Sequence, residues 1–153
     1  MGKDIHVAIA IRNTEAGNYQ RISIFRQRDN KIEEIPPYDT RNHELFELLE
    51  KDVPSSGLHT TFLEPSFAEE IEKKENIIGY FGFREINLAD LKNYLMLNPT
   101  VPDYDYDNDE TEELTYKTNP IKFFIEQIEY YIEFAGYEFY SPSDVYILYW
   151  FDN

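Results

Sequence analysis

The densest group of chemically active side chains is the stretch from Asp103 to Glu113, which reads DYDYDNDETEE. Seven of its eleven residues are carboxylates and none is basic. Asp103, Asp105 and Asp107 stand at alternate positions, as the first ligands of a calcium-binding loop do. The twelfth position of such a loop needs a bidentate glutamate, but Leu114 stands there. The spacing therefore does not predict a metal site.

The same spacing suits contact with a protein. In an extended chain the alternate carboxylates, interleaved with tyrosines, lie about 6.5–7 Å apart, which is close to the phosphate spacing along one nucleic-acid strand. Three glutamates on the outer side of a predicted later helix could extend this acidic face. The residues predicted to contact a partner are Asp103, Tyr104, Asp105, Tyr106, Asp107, Asp109, Glu110, Glu112, Glu113, Glu126, Glu129 and Glu133.

This acidic face favours an inhibitor or adaptor that binds a basic protein. Tyrosines supply contact area, and carboxylates steer a basic partner toward the surface. Such a protein could act as a nucleic-acid mimic on a nucleic-acid-binding partner, for example a host defence effector. One alternative is a structural or accessory protein whose acidity is incidental. In that case the stretch is a solvated loop that only keeps the protein in solution.

The tetrapeptide Arg41-Asn42-His43-Glu44 is the best candidate for catalysis, because anions bind readily at the start of a helix. His43 with Glu44 could act as an acid–base pair, which gives a small hydrolase as a third hypothesis. Adjacent residues on a helix point about 100° apart, however, so these two side chains do not face each other. We therefore assign no catalytic residue and expect a protein that is not an enzyme and needs no cofactor.

The charge of the chain is unevenly distributed. The formal net charge is -16 at pH 7, yet residues 1–31 carry +3, which leaves -19 on the rest. A field of this sign repels nucleic acid and anionic lipid, so neither is an expected partner. The chain has no cysteine, which excludes disulfides, thiolate catalysis and zinc–thiolate sites. A cytoplasmic location is the expectation that follows.

Length and composition predict one domain, residues 1–153, of the α+β class, with an acidic surface insertion at about 100–118. The first three predicted strands form a meander, whose second turn is Asp29-Asn30. A nearly continuous apolar run places the last strand inside the sheet, beside the first. The result is an approximately five-stranded, mainly antiparallel sheet packed with three to four helices. The predicted strands cover about 5–11, 19–28, 31–35, 83–86 and 145–151.

Four helices are predicted from apolar periodicity and capping residues. They cover about 40–51, 66–75, 88–98 and 120–135. Asp39 or Thr40 could cap the first helix, and Asn87 and Asn119 cap the last two. The second helix opens with the capping-box spacing of Ser66 and is highly charged, so it should lie on the surface.

Six aromatic residues cluster around the end of the last helix. They exceed what its core-facing stripe needs, so exposed members could form a protein interface or a homodimer contact. They could equally pack under the long loops. The six are Tyr130, Tyr131, Phe134, Tyr137, Phe139 and Tyr140.

Three segments carry a family resemblance: the opening strand DIHVAIAIR, the element YDTRNHELF at 38–46 and the closing DVYILYWFDN at 144–153. They resemble an uncharacterised family of small proteins found in tailed bacteriophages and bacteria. Residues 83–95 are similar to that family's strand-to-helix segment. The chain departs from the pattern after Phe46, and the acidic insertion is not part of it. The family has no assigned activity, so the resemblance implies only a viral or mobile-element setting, with the host cytoplasm as the location.

Overall fold

The computed structural model describes residues 3–99 and 119–153 of the chain. The strands in this part are β1 (Asp4–Arg12), β2 (Tyr19–Ile22), β3 (Ile24–Arg28), β4 (Lys31–Ile35), β5 (Phe81–Asn87) and β6 (Val145–Asp152). The helices are α1 (His43–Glu47), α2 (Pro65–Glu75), α3 (Leu88–Leu97) and α4 (Pro120–Phe134). A π-helical turn (Leu48–Asp52) follows α1, and there are 3₁₀ turns at Thr60–Phe62 and Pro142–Asp144. The α+β class predicted from the sequence is confirmed.

The main sheet is antiparallel, with the strand order β2-β1-β6-β5. Its two central strands are the first and the last in the chain, with Ile5 opposite Phe151 and Ile9 opposite Ile147. Most residues of β6 are buried, because helices cover both faces of the sheet. The prediction that the apolar C-terminal strand pairs beside the first strand is therefore confirmed.

The predicted meander of three strands is wrong in one respect. The chain divides at Ser23, so β2 pairs with β1 while β3 and β4 form a separate two-stranded ribbon. The physical reason is that Phe25 to Arg28 are exposed and polar apart from Phe25, so β3 has little apolar surface to bury in the main sheet. The described residues thus hold six strands in two sheets rather than one five-stranded sheet.

The β3–β4 ribbon is fixed at both of its ends. Its tip is the turn predicted from Asp29 and Asn30, whose φ angles are 51° and 64°, as a tight hairpin turn requires. At its base, the hydroxyl of Tyr131 on α4 donates to the carbonyl of Ile35 at 2.7 Å and accepts from the amide of Ile24 at 2.9 Å. One buried hydroxyl therefore joins both strands of the ribbon to the helix.

The main core lies between one face of the sheet and helices α1, α3 and α4. Period-2 alternation sends the odd-numbered residues of β1 and β6 into it. A smaller core on the opposite face joins Ala8, Ala10 and Trp150 to Phe67 and Ile71 of α2. Most residues of α2 are exposed or partly exposed, as predicted for this charged helix, and its two buried apolar residues cover the second face of the sheet.

The start of α2 differs from its prediction. The helix begins at Pro65, and no side chain caps it, so Ser66 stands inside the first turn and does not form a capping box. Proline at the first helical position sets the helical φ angle and has no amide that needs a partner. The N-cap position is therefore Glu64, two residues earlier than the Ser66 that the capping pattern indicates.

The first predicted helix is shorter and changes its pitch. Asn42, rather than Asp39 or Thr40, is the cap, and its side chain accepts from the amide of Leu45 at 3.0 Å. In the π-helical turn that follows, the carbonyl of Leu49 accepts hydrogen bonds from side chains of the sheet. Tyr149 of β6 donates its hydroxyl to that carbonyl at 2.8 Å, and Arg84 of β5 bonds the same turn.

The last two helices begin as predicted. The side chain of Asn87 caps α3 by accepting from the amide of Ala89, and it also donates to the carbonyl of Ser143 at 2.8 Å. The side chain of Asn119 caps α4 by accepting from the amide of Ile121 at 2.9 Å. Both caps confirm the predicted helix starts, and the second positions the helix on which the candidate site lies.

Candidate protein-binding face

Helix α4 has two faces of different chemistry. Its inner stripe is buried in the main core, as the apolar periodicity predicts. The residues on the opposite side recur at the same helical spacing and are exposed, so they form a continuous outer face. This outer face of α4 consists of Phe123, Glu126, Gln127, Tyr130, Glu133 and Phe134.

Aromatic rings are the most unusual feature of the outer face. Tyr130 and Phe134 are each 66% exposed, and their rings stack with centroids 6.2 Å apart and planes 22° from parallel. Phe123 lies on the same face and is 36% exposed. Stacked rings with this exposure present apolar surface to water. A protein that contacts them would bury that surface, which is favourable.

The carboxylates of the outer face differ in their partners. Among the described residues, Glu126 and Glu133 form no ion pair. Glu129, at the margin of the face, accepts from the ammonium of Lys92 on α3 at 2.6 Å. Two of the three α4 glutamates predicted for partner contact thus have no ion pair within the described ranges, while Lys122 adds one positive charge a turn before Glu126.

The residues that flank the acidic stretch are held together beside this helix. The side-chain amide of Asn119 donates to the carbonyl of Pro99 at 3.0 Å, so one residue caps α4 and binds the chain that leaves α3. The acidic stretch itself lies outside the described residues, and its predicted contact residues are not placed. They are Asp103, Tyr104, Asp105, Tyr106, Asp107, Asp109, Glu110, Glu112 and Glu113.

The six C-terminal aromatics divide between the two alternatives. Tyr131 is buried, and Tyr137 and Tyr140 are partly buried against the main core. The other three face solvent, with Phe139 the most open at 95% exposed. Half of the cluster therefore stabilises the fold, while the other half is available to a partner.

The catalytic candidate, His43, does not line the β1 cleft described below. His43 is the first residue of α1 and is exposed; its ring meets Phe46 edge-on at 6.4 Å. The two residues before it stabilise the fold, since Arg41 donates a hydrogen bond to Asp4 at 2.7 Å and Asn42 caps the helix. Among the described residues, no hydrogen bond to the His43 side chain is found. Arg41 thus joins this loop to β1, while Asn42 stabilises the start of α1.

A cleft of about 430 Å³ lies beside the first half of β1 and is called the β1 cleft below. Sequence reasoning did not find it, because its walls come from distant parts of the chain. The residues of most interest in its lining are Asp4, His6, Arg21, Tyr38, Glu70 and Trp150. Among the described residues, Asp4–Ala8 of β1 has no strand partner on the β2 side, and this open edge and the prolines at 36 and 37 border the cleft; only the prolines are visible in the sequence.

Ion pairs frame the β1 cleft. Arg21 lies 2.8 Å from a carboxylate oxygen of Glu34 and 3.1 Å from one of Glu70; the second contact is out of line for a hydrogen bond. His6 Nε2 is 2.6 Å from Asp152, and the His6 ring stacks on Trp150 with centroids 5.7 Å apart. Farther along, the hydrogen bond from Arg41 lowers the pKa of Asp4 below its ordinary value.

Metal ligands and membrane helices were sought in the part of the chain that the structure describes. Residues 3–99 and 119–153 contain no group of three or more His, Asp or Glu side chains placed to hold a metal ion. No helix within those ranges combines the length and the apolar content needed to cross a bilayer.

Comparison of the sequence with protein-family models, with curated proteins and with solved structures finds no match. The resemblance of three segments to the bacteriophage family is therefore a proposal, and the functional argument depends on the geometry of this chain alone.

Proposed function

We propose that this protein binds a basic, nucleic-acid-binding protein and acts as its inhibitor or adaptor. The observation that carries the proposal is the outer face of α4, where two glutamates that form no ion pair within residues 3–99 and 119–153 flank a stacked, exposed pair, Tyr130 and Phe134. A few residues supply most of the binding energy in a protein interface, and tyrosine is enriched among them. Unpaired carboxylates favour a partner of opposite charge.

The location of the acidic stretch supports the same partner class. Pro99 and Asn119, which are the described residues at its two sides, lie at the start of α4. In the sequence, seven more carboxylates lie between these two residues. An array of this charge attracts the groove of a protein that binds nucleic acid, which is the basis of the proposed mimicry.

A homodimer through the outer face is the weaker alternative. A symmetric contact would bring Glu126 and Glu133 of one copy toward the same residues of the other, because an isologous interface uses one patch twice. Like charges in a desolvated contact raise the free energy of the complex. A basic partner relieves this repulsion and still covers the aromatic pair, so it fits the face better.

The first test is capture of a partner from bacterial lysate at about 50 mM and about 500 mM salt, since screening separates charge-driven contacts from others. Three baits are compared: the wild type, the double variant Glu126→Gln/Glu133→Gln and a control, Glu72→Gln/Glu75→Gln. The control removes two exposed charges from α2 and leaves the outer face of α4 unchanged. The captured protein is then purified, and its dissociation constant for each bait is measured.

We expect the α4 double variant to weaken binding about tenfold or more at low salt, and the control to weaken it less than about threefold. Tyr130→Ala should weaken binding at both salt concentrations, because contact area is not screened. Neutralising Asp103, Asp105, Asp107 and Asp109 together to Asn should reduce both the affinity and its dependence on salt. Equal affinity for wild type and the α4 double variant would contradict the assignment of the face.

A further inference from the structure

Strand β1 is only partly paired along one of its edges. It pairs with β6 from Asp4 to Ile11, but it pairs with β2 only from Ile9 onward. Among the described residues, no backbone hydrogen bond or bridge to another strand covers the segment Asp4–Ala8 on the β2 side. In an antiparallel strand alternate residues direct their amide and carbonyl groups to the same side, so this segment presents unpaired backbone groups there.

The unpaired edge is a wall of the β1 cleft. Ile5, His6 and Val7 all line the cleft, although side chains at successive positions of a strand point to opposite faces. Three consecutive residues can share one cavity only where the backbone edge itself forms the wall. Within the described part of the chain no strand lies beyond this edge, and the space there measures about 430 Å³.

The opposite wall explains why the chain leaves this edge open. It includes Pro36 and Pro37, which directly follow β4. Proline has no amide hydrogen, so this segment cannot donate to β1 and complete the sheet. The edge therefore stays available to a strand from outside.

A buried donor in the cleft also lacks an acceptor. Trp150 lines the cleft and is 4% exposed, and among the described residues its Nε1–H has no hydrogen-bond partner. A buried donor without a partner raises the free energy of the free protein. A ligand rich in carbonyl groups could supply the missing acceptor.

The charges around the cleft indicate which side chains the ligand carries. Glu34 and Glu70 share the single guanidinium of Arg21, and Asp39 is exposed and has no ion pair among the described residues. With Lys74 as the other cation in the lining, carboxylates outnumber cations. This imbalance favours lysine or arginine over acidic side chains.

We propose that an extended peptide segment of a partner, carrying lysine or arginine, adds as a strand to Asp4–Ala8 of β1 in this cleft. Strand addition gains affinity from main-chain hydrogen bonds and specificity from the alternate side chains. This site is separate from the outer face of α4 and does not depend on the function proposed for that face.

The probe is the blocked pentapeptide Lys-Val-Lys-Val-Lys, titrated into the full-length protein. Trp150 is the only tryptophan in the chain, so its fluorescence reports from the cleft directly. The matched control peptide has two consecutive central amides N-methylated, which blocks hydrogen bonding along both of its edges while the charge is kept. Amide hydrogen exchange of residues 4–8 is measured with and without the probe.

In the free protein, alternate amides of residues 4–8 should exchange rapidly, and the probe should slow them. The probe should change the Trp150 fluorescence, and the N-methylated peptide should bind at least about tenfold more weakly. Equal binding of both peptides would show attraction by charge alone and overturn the proposal. No binding at millimolar probe, or uniform protection of all five amides in the free protein, would also overturn it.

Two charge reversals complete the test. Asp39→Lys, at the cleft, should weaken binding of the probe severalfold, whereas Glu72→Lys, on an exposed part of α2 outside the cleft lining, should have a smaller effect. The variant Glu126→Gln/Glu133→Gln should bind the probe as the wild type does. Equal effects of the two charge reversals would contradict the selection of basic side chains at this site.

Discussion

The hydroxyl of Tyr131 is the most informative single group to remove, because it joins the β3–β4 ribbon to α4. The substitution Tyr131→Phe keeps the buried ring and deletes one oxygen. It breaks the bond donated to Ile35 at 2.7 Å and the bond accepted from Ile24 at 2.9 Å. Since the residue is 5% exposed, water reaches the two abandoned backbone groups poorly.

The expected loss follows from these two bonds. Each contributes about 1 kcal/mol net, and a backbone group left unpaired adds a desolvation penalty of about 1 kcal/mol or more. Because the ribbon can move outward and let water in, we expect the penalty to be reduced and the free energy of unfolding to fall by about 2–3 kcal/mol. With a urea slope of about 2 kcal/mol per molar, the midpoint should drop by roughly 1 M.

Equilibrium urea unfolding, followed by circular dichroism, measures this change. The neighbouring variant Tyr130→Phe is the matched control, since Tyr130 is 66% exposed and forms no hydrogen bond among the described residues. It should shift stability by less than about 0.5 kcal/mol. If the two variants unfold at the same midpoint, the hydroxyl of Tyr131 does not hold the ribbon.

Three further outcomes are expected. Asn119→Ala should lower the free energy of unfolding by about 1 kcal/mol through loss of the α4 cap, and Asn119→Ser should restore most of it, both measured by thermal unfolding. Gly82→Ala should destabilise by about 2 kcal/mol, since φ is +70° and an added Cβ would lie 3.0 Å from the buried ring of Phe151; urea unfolding at an unchanged midpoint would contradict this. Burial raises the pKa of Tyr131 and of Tyr149, so the unfolded state loses these protons first, and stability should fall as the pH rises above about 10. Tyrosinate absorbance and circular dichroism, recorded together, should show some of the 13 tyrosines ionising only as the helical signal is lost, whereas full ionisation with that signal intact would contradict it.

Local signals in the sequence predicted the elements that depend on local chemistry. Asn87 and Asn119 cap the helices that follow them, and Asp29-Asn30 forms the hairpin turn. The apolar run of β6 indicates a strand buried on both faces, which only a central position provides. The caps and the turn depend on interactions between residues only a few positions apart in the sequence. The position of β6 depends only on how apolar the strand is.

The errors arose where distant parts of the chain decide the outcome. The division at Ser23 follows from competition between the main sheet and a ribbon held by Tyr131, more than a hundred residues away. The packing of α2 on the sheet, which the sequence did not indicate, also involves distant residues, since Phe67 lies in one apolar cluster with the small side chains Ala8 and Ala10. The sequence around one residue of such a contact does not show which distant residue it will touch.

The candidate site was predictable to a similar extent. Helical spacing placed Glu126 and Glu133 on the outer side of α4, where the structure has them. It did not reveal that Lys92 binds Glu129, or that Tyr130 and Phe134 stack in solvent. Contact of a partner with the acidic stretch stays a prediction, because those residues lie outside the described ranges.

The most direct test of the proposed function is competition between this protein and nucleic acid for the captured partner. The dissociation constant of the complex is measured as a DNA duplex that the partner binds is added. If the acidic surface occupies the nucleic-acid groove, the apparent dissociation constant should rise in proportion to the duplex concentration, and no ternary complex should form. A dissociation constant that stays unchanged, with protein, partner and duplex in one complex, would contradict the account.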